Sequence, residues 1–112
     1  MPKEPAEYIR HIADECSYLV AASKGLSKEQ FLNDETRKRA FARSLEIIGE
    51  AAKNIPIDFK EKWNTVPWKN MAGMRDRLIH DYMGTNYTII WDVVLNKIPE
   101  LLAQMEEVLE RE

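Results

Sequence analysis

DETRKRAFARSLEIIGEAAKNI, residues 34–55, decides the fold class. Phe41, Leu45, Ile48, Ala52 and Ile55 recur at steps of three and four, and Ala40, Ser44, Ile47 and Ala51 form the stripe beside them. A period near 3.6 belongs to an α-helix, whereas a half-buried strand would alternate every second residue. The two stripes together predict a broad buried face lined with small residues. Asn33 or Asp34 supplies an N-cap, and the helix is expected to run to about Asn54.

Working outward, Ile9, Ile12, Cys16, Leu19 and Val20 predict a first helix over residues 4–22, broken at Gly25. Ser27 with Gln30 three residues later has the form of a capping box for a short turn through Leu32. Pro56 and Pro67 bracket a connector that carries Phe59, Trp63 and Val66, with a short helix expected from Pro56. A third long helix should begin at Pro67 or Trp68 and reach about Tyr82, with Gly84 ending it. Asn86 or Thr85 caps a fourth, whose stripe from Ile90 to Leu109 is interrupted by Pro99, where a kink or a restart is expected. No segment reads convincingly as a strand, repeat or flexible linker. The expected architecture is all-α: one domain over residues 1–112, an up-and-down helical bundle of four main helices plus short connector helices. The apolar faces suffice for one monomer core and also leave a dimer open.

Composition narrows the function classes. The chain of 112 residues is 45% hydrophobic and 31% charged, the balance of a globular protein. A single cysteine, Cys16, excludes an internal disulfide framework and a multi-cysteine zinc site. No apolar run is long enough to span a bilayer, and a cytoplasmic location is expected. The net charge of −3 sits in residues 106–112, four glutamates and one arginine; the remainder balances 15 bases against 15 acids. Arg37, Lys38, Arg39 and Arg43 form one basic run, and Lys69, Arg75 and Arg77 another. This distribution permits phosphate contact but not tight binding through a large basic face.

The chemistry concentrates in WKNMAGMRDRLIHDY, residues 68–82. On an ideal helix Met71, Met74, Leu78 and Tyr82 share one face, and Lys69, Gly73, Asp76 and His80 lie roughly opposite. Asp76 precedes His80 by one turn, so its carboxylate is in reach of the imidazole. Gly73 costs about 1 kcal/mol against alanine in a helix interior, which close approach of another backbone would justify. Arg75 falls beside the apolar stripe, about 140° from His80. Spacing alone favours a partly buried arginine paired with Glu46 or Glu50. A lone His80 is more often a satisfied helix-end histidine than a catalyst, and Tyr82 is compatible with a core or interface aromatic.

Arg75-Asp76-x-x-x-His80-x-Tyr82 resembles the Arg-x-x-x-x-His-x-Tyr motif of HepT-like toxins, which are HEPN-domain ribonucleases. The likeness extends to Leu45-Glu46-Ile47-Ile48-Gly49-Glu50-Ala51-Ala52-Lys53, to Pro67-Trp68 before Ala72-Gly73-Met74-Arg75, and to Trp91 followed by Pro99-Glu100-Leu101-Leu102. It covers about residues 8–109; the loop at 83–86 matches only loosely. The resemblance implies a homodimer with two motifs facing one cleft, and metal-independent RNA cleavage by attack of the ribose 2′-hydroxyl on the adjacent phosphate. His80, with a reference pKa of about 6.5, suits proton transfer, and Arg75 suits charge on the phosphoryl oxygens. Asp76 would support His80 or hold substrate. No cofactor is implied, and no acidic, histidine or cysteine cluster suggests a metal. The implied partner is a minimal nucleotidyltransferase antitoxin of the MntA type, which adenylylates the motif tyrosine, here Tyr82. The alternative is a catalytically silent helical scaffold or substrate-binding subunit of that nucleotidyltransferase.

Overall fold

A computed structural model describes residues 4–80 and 86–112, with side chains for all of these except 78–80. The described residues contain seven helices and no strand: α1 (Pro5–Ser23), α2 (Lys28–Leu32), α3 (Glu35–Asn54), α4 (Ile57–Lys62), α5 (Trp68–His80), α6 (Tyr87–Asn96) and α7 (Ile98–Arg111). The all-α bundle is as expected, and the local signals account for most of its boundaries. Pro5 occupies the first turn of α1, where its missing N–H has no intrahelical acceptor to lose. Gly25 turns the chain with φ +74°, a left-handed conformation that costs glycine little. The capping box forms as expected: the Gln30 amide donates to Ser27 Oγ at 3.1 Å, and the Ser27 amide to Gln30 Oε1 at 2.9 Å. Asp34, rather than Asn33, caps α3, accepting the Arg37 amide at 3.0 Å. Asn86 caps α6 through the amides of Thr88 and Ile89.

One boundary differs from the expectation in detail, and at Pro99 one of the two expected outcomes is realised. Pro56 is the N-cap of α4 and the helix proper begins at Ile57. The fourth long helix restarts rather than kinks. Lys97, at φ −111° and ψ −37°, separates α6 from α7, and Pro99 then sits in the first turn of α7, where a missing donor is harmless. The expected end of the third helix at Tyr82 and Gly84 lies outside the described residues.

The core is one continuous cluster. Ile9, Ile12, Cys16 and Leu19 from α1 meet Phe41, Leu45, Ile48 and Ala52 from α3 and Leu101, Met105 and Val108 from α7. At the α2 end, Phe31 stacks against Trp91 with centroids 5.2 Å apart and tilts against Phe41 at 4.9 Å. Ser44, the buried polar member of α3's face, donates its hydroxyl to Glu15 Oε1 on α1 at 2.7 Å, so its burial is compensated. Helix α5 lies chiefly on α3 and adds Trp68 and Met71 to the core. Among the described residues no helix is long and apolar enough to cross a membrane.

Candidate functional site at the α3–α5 seam

The site is built on a close approach of two helices. An added Cβ at Gly49 on α3 would overlap the Cβ of Arg75 on α5 and lie 2.7 Å from the carbonyl oxygen of Met71. A residue with any side chain would push α5 away, so Gly49 sets the depth at which Arg75 leaves its helix. Gly73, for which close approach of another backbone is one expected reason, has no such neighbour among the described residues of this chain: an added Cβ there meets nothing within 4 Å.

Arg75 is partly buried, with 28% of its side chain exposed, as the helical wheel required. Its partner is not the expected acid on α3. Glu46 is taken by Arg43, at 3.3 Å, and Glu50 is exposed. Arg75 instead curls back along α5, and its Nη1 donates to Oδ1 of the neighbouring Asp76 at 3.1 Å. Its Nε is buried and bonds to no acceptor among the described residues, so the packing of its stem and not full hydrogen bonding fixes this arginine.

Asp76 holds a second cation. Lys53 on α3 stands one turn beyond Gly49, and its Nζ donates to the same Asp76 Oδ1 at 3.1 Å. Hydrogen bonds from Lys53 and then Arg75 keep the Asp76 carboxyl below its ordinary value of 3.8, with partial desolvation opposing them. The seam therefore gathers two positive groups and one negative group at a partly exposed position. Sequence reasoning missed Lys53 as a member, although Lys53 ends the Leu45–Lys53 stretch that carries the family likeness. Gly49 and Lys53, four apart on one helix, were the available signal.

The remaining candidates divide clearly. Met71 and Met74 pack on the core side of α5 as expected, and Lys69 and Arg77 are exposed. His80 is the last described residue of α5, but its side chain and all of Tyr82 lie outside the described residues, as does the expected contact of Asp76 with His80. The basic run on α3 is largely matched locally, Arg37 by Asp34 at 2.8 Å and Lys38 by Glu35 at 3.1 Å. His11 is exposed. Cys16 is buried, and burial, with Glu15 adding to it, pushes its thiol up to about 12, which makes it a core residue and no nucleophile at neutral pH. Among the described residues no three histidine, cysteine or carboxylate side chains gather as metal ligands would.

Comparison with known proteins gives one consistent result. The family model described as "Ribonuclease HepT-like" matches residues 6–108. A protein of Caldanaerobacter subterraneus subsp. tengcongensis named "Putative RNase" is 54% identical over 110 residues, which is 98% of each chain. A Methanocaldococcus jannaschii protein of the same name is 43% identical, covering 97% of this chain and 91% of its own length. "Probable ribonuclease HepT" of Thermococcus cleftensis is 39% identical over 107 residues, 96% of this chain and 97% of its own. No solved structure gives a significant match. The resemblance carried by the Arg75–Tyr82 segment and its flanking helices thus holds across almost the whole chain, and the protein belongs to the HepT-like ribonuclease family.

Proposed function

We propose that this chain is the toxin ribonuclease of a toxin–antitoxin pair, a single HEPN unit that acts as a homodimer in the cytoplasm and cleaves RNA without a metal ion. The family membership over residues 6–108 is the observation that carries this reading. The seam supports it chemically. Arg75 is anchored by its stem and presents a charged donor, Nη1, that already holds a carboxylate oxygen; a phosphate oxygen asks for the same geometry. In this reading His80 moves the proton of the ribose 2′-hydroxyl or of the leaving oxygen, and Arg75 stabilises charge on the phosphoryl oxygens. Asp76 supports them. The open surface at Gly73, where no described residue covers α5, is the face assigned to the second protomer. Tyr82, two residues beyond His80, is the site of control: adenylylation by an MntA-type nucleotidyltransferase would place a phosphodiester charge beside the catalytic residues and exclude RNA.

The decisive assay is cleavage of RNA by unmodified protein in EDTA. His80→Ala and Arg75→Ala should each lose at least about tenfold, since acid–base catalysis alone contributes about 10²–10⁴. Equal cleavage by folded wild type and His80→Ala would remove the catalytic reading; loss in EDTA with recovery on magnesium would remove only the metal-free mechanism. Light scattering should give twice the mass of one chain. Incubation with the cognate nucleotidyltransferase and ATP should add adenylyl mass to Tyr82 and stop cleavage, while Tyr82→Phe should escape both.

A further inference from the structure

Lys53 and Arg75 come from different helices, yet both donate to Asp76 Oδ1 at 3.1 Å. Two cations against one carboxylate leave an excess positive charge at the seam. The Lys53–Asp76 pair is not a buried structural bridge: the two side chains are 45% and 44% exposed, and exposed ion pairs between long side chains hold weakly. Arg75 by contrast is fixed by its packed stem. One cation is therefore the more buried and the other the more exposed, and the anion between them is held by partly exposed ion pairs.

We infer that Lys53 is a phosphate-contacting residue of the RNA site, and that the Asp76 carboxylate stands in for an RNA phosphate between Lys53 and Arg75 until substrate displaces it. This rests on the ribonuclease reading above and adds to it a residue on α3 and a competitor for the phosphate position. A phosphodiester carries two non-bridging oxygens, so one can take Arg75 Nη1 and the other Lys53 Nζ, where the carboxylate offers a single oxygen to both. The lysine needs only rotamer changes to follow it. In the free protein Asp76 acts against binding, since substrate must compete with it for both cations; once displaced, it is released for its supporting role beside His80. This separates the inference from an ordinary salt bridge, in which removing either partner has the same sense.

The test is binding of a fluorescein-labelled, fully 2′-O-methylated RNA, which cannot be cleaved through its 2′-oxygen, by the full chain over a potassium chloride series. Lys53→Gln should weaken binding about three- to tenfold near 0.1 M salt and lower the slope of log affinity against log salt by about 0.7, the value for neutralising one single-strand phosphate fewer. Lys53→Arg should restore the slope. Asp76→Asn should tighten binding, because the competing anion is gone. Urea midpoints for each variant confirm folding. Wild-type affinity and slope in Lys53→Gln, or weakening by Asp76→Asn to match Lys53→Gln, would overturn the clamp. If wild type cleaves ordinary RNA while Lys53→Gln keeps the wild-type slope, the clamp fails and the ribonuclease reading stands. If wild type binds but does not cleave, and the Lys53→Gln slope falls, the clamp stands and the catalytic reading fails. A wild type that neither binds this RNA nor cleaves ordinary RNA overturns both.

Discussion

Helix α3 takes part in two regions that are held together in different ways. Toward its N-terminus Phe41 is fully buried against Phe31, which in turn stacks on Trp91. Further along the same helix Gly49 and Lys53 meet α5 through an absent side chain and a shared carboxylate. The aromatic region gains from apolar area removed from water, which depends little on pH. At Gly49 and Lys53 the geometry comes from backbone proximity, and the charges stay partly wet. One helix thus carries a stable anchor and a chemically adaptable edge, and the anchor keeps the edge in register.

The largest expected effect lies in the anchor. Phe41→Ala should destabilise the fold by about 3–5 kcal/mol, read as a lower urea midpoint. Cleavage per folded molecule should hold, because Phe41 stands about 18 Å along α3 from Lys53; a parallel loss of activity would mean that the two regions are not separable. Gly49→Ala should cost less stability, about 1–3 kcal/mol, since overlap with the Arg75 Cβ and the Met71 carbonyl outweighs the better helix propensity of alanine. It should cost cleavage as well, by displacing Arg75. Gly73→Ala should go the other way in the unpaired protomer and stabilise it by up to about 1 kcal/mol, because the new methyl meets nothing within 4 Å among the described residues of its own chain. An opposite ranking of the two glycine variants would invert the assignment of the close approach.

The smallest effect concerns acid. Lys53 and Arg75 hold the Asp76 carboxyl below its ordinary value, so the folded state binds that proton less readily than the unfolded chain does. The stabilisation is complete above the ordinary value of 3.8 and is lost as pH falls through the lower folded value. Asp34, beside Arg37, and Glu112, beside Lys62 and Trp63, have the same sense. Asp76→Asn should therefore flatten slightly the fall of the urea midpoint as pH drops below the ordinary carboxyl value of 3.8. An unchanged acid limb in that variant would show that the seam ion pairs do not persist in solution.

The anchor was far more legible in the sequence than the seam. Three- and four-residue recurrence located Ile9–Leu19 and Phe41–Ile55, and cap chemistry located Ser27, Asp34 and Asn86, because these depend on local spacing. The wheel also gave Arg75 its half-buried position. It could not give its partner. Adjacent helical residues do not face one another, so pairing of Arg75 with Asp76 is available only to a side chain that curls back along its own helix. Nor does a glycine within a helix announce its neighbour: Gly49 and Gly73 look alike until the packing of α3 on α5 distinguishes them. The motif carrying Arg75, His80 and Tyr82 was legible only through family resemblance, since spacing alone suggested an ordinary ion pair and a helix-end histidine.

The packing of α1 against α7 orders events during synthesis. The face of α1 that carries Ile9, Ile12, Cys16 and Leu19 is covered in part by Leu101, Met105 and Val108, some ninety residues later in the chain. Such distant contacts are rewarded only after a long loop has been closed. On the ribosome the first helix waits with an apolar stripe uncovered until α7 has emerged, well after α3 and α5 are available to pair. Helix α7 is thus the closing helix, and the finished bundle forms only once residue 108 is free to fold back on α1.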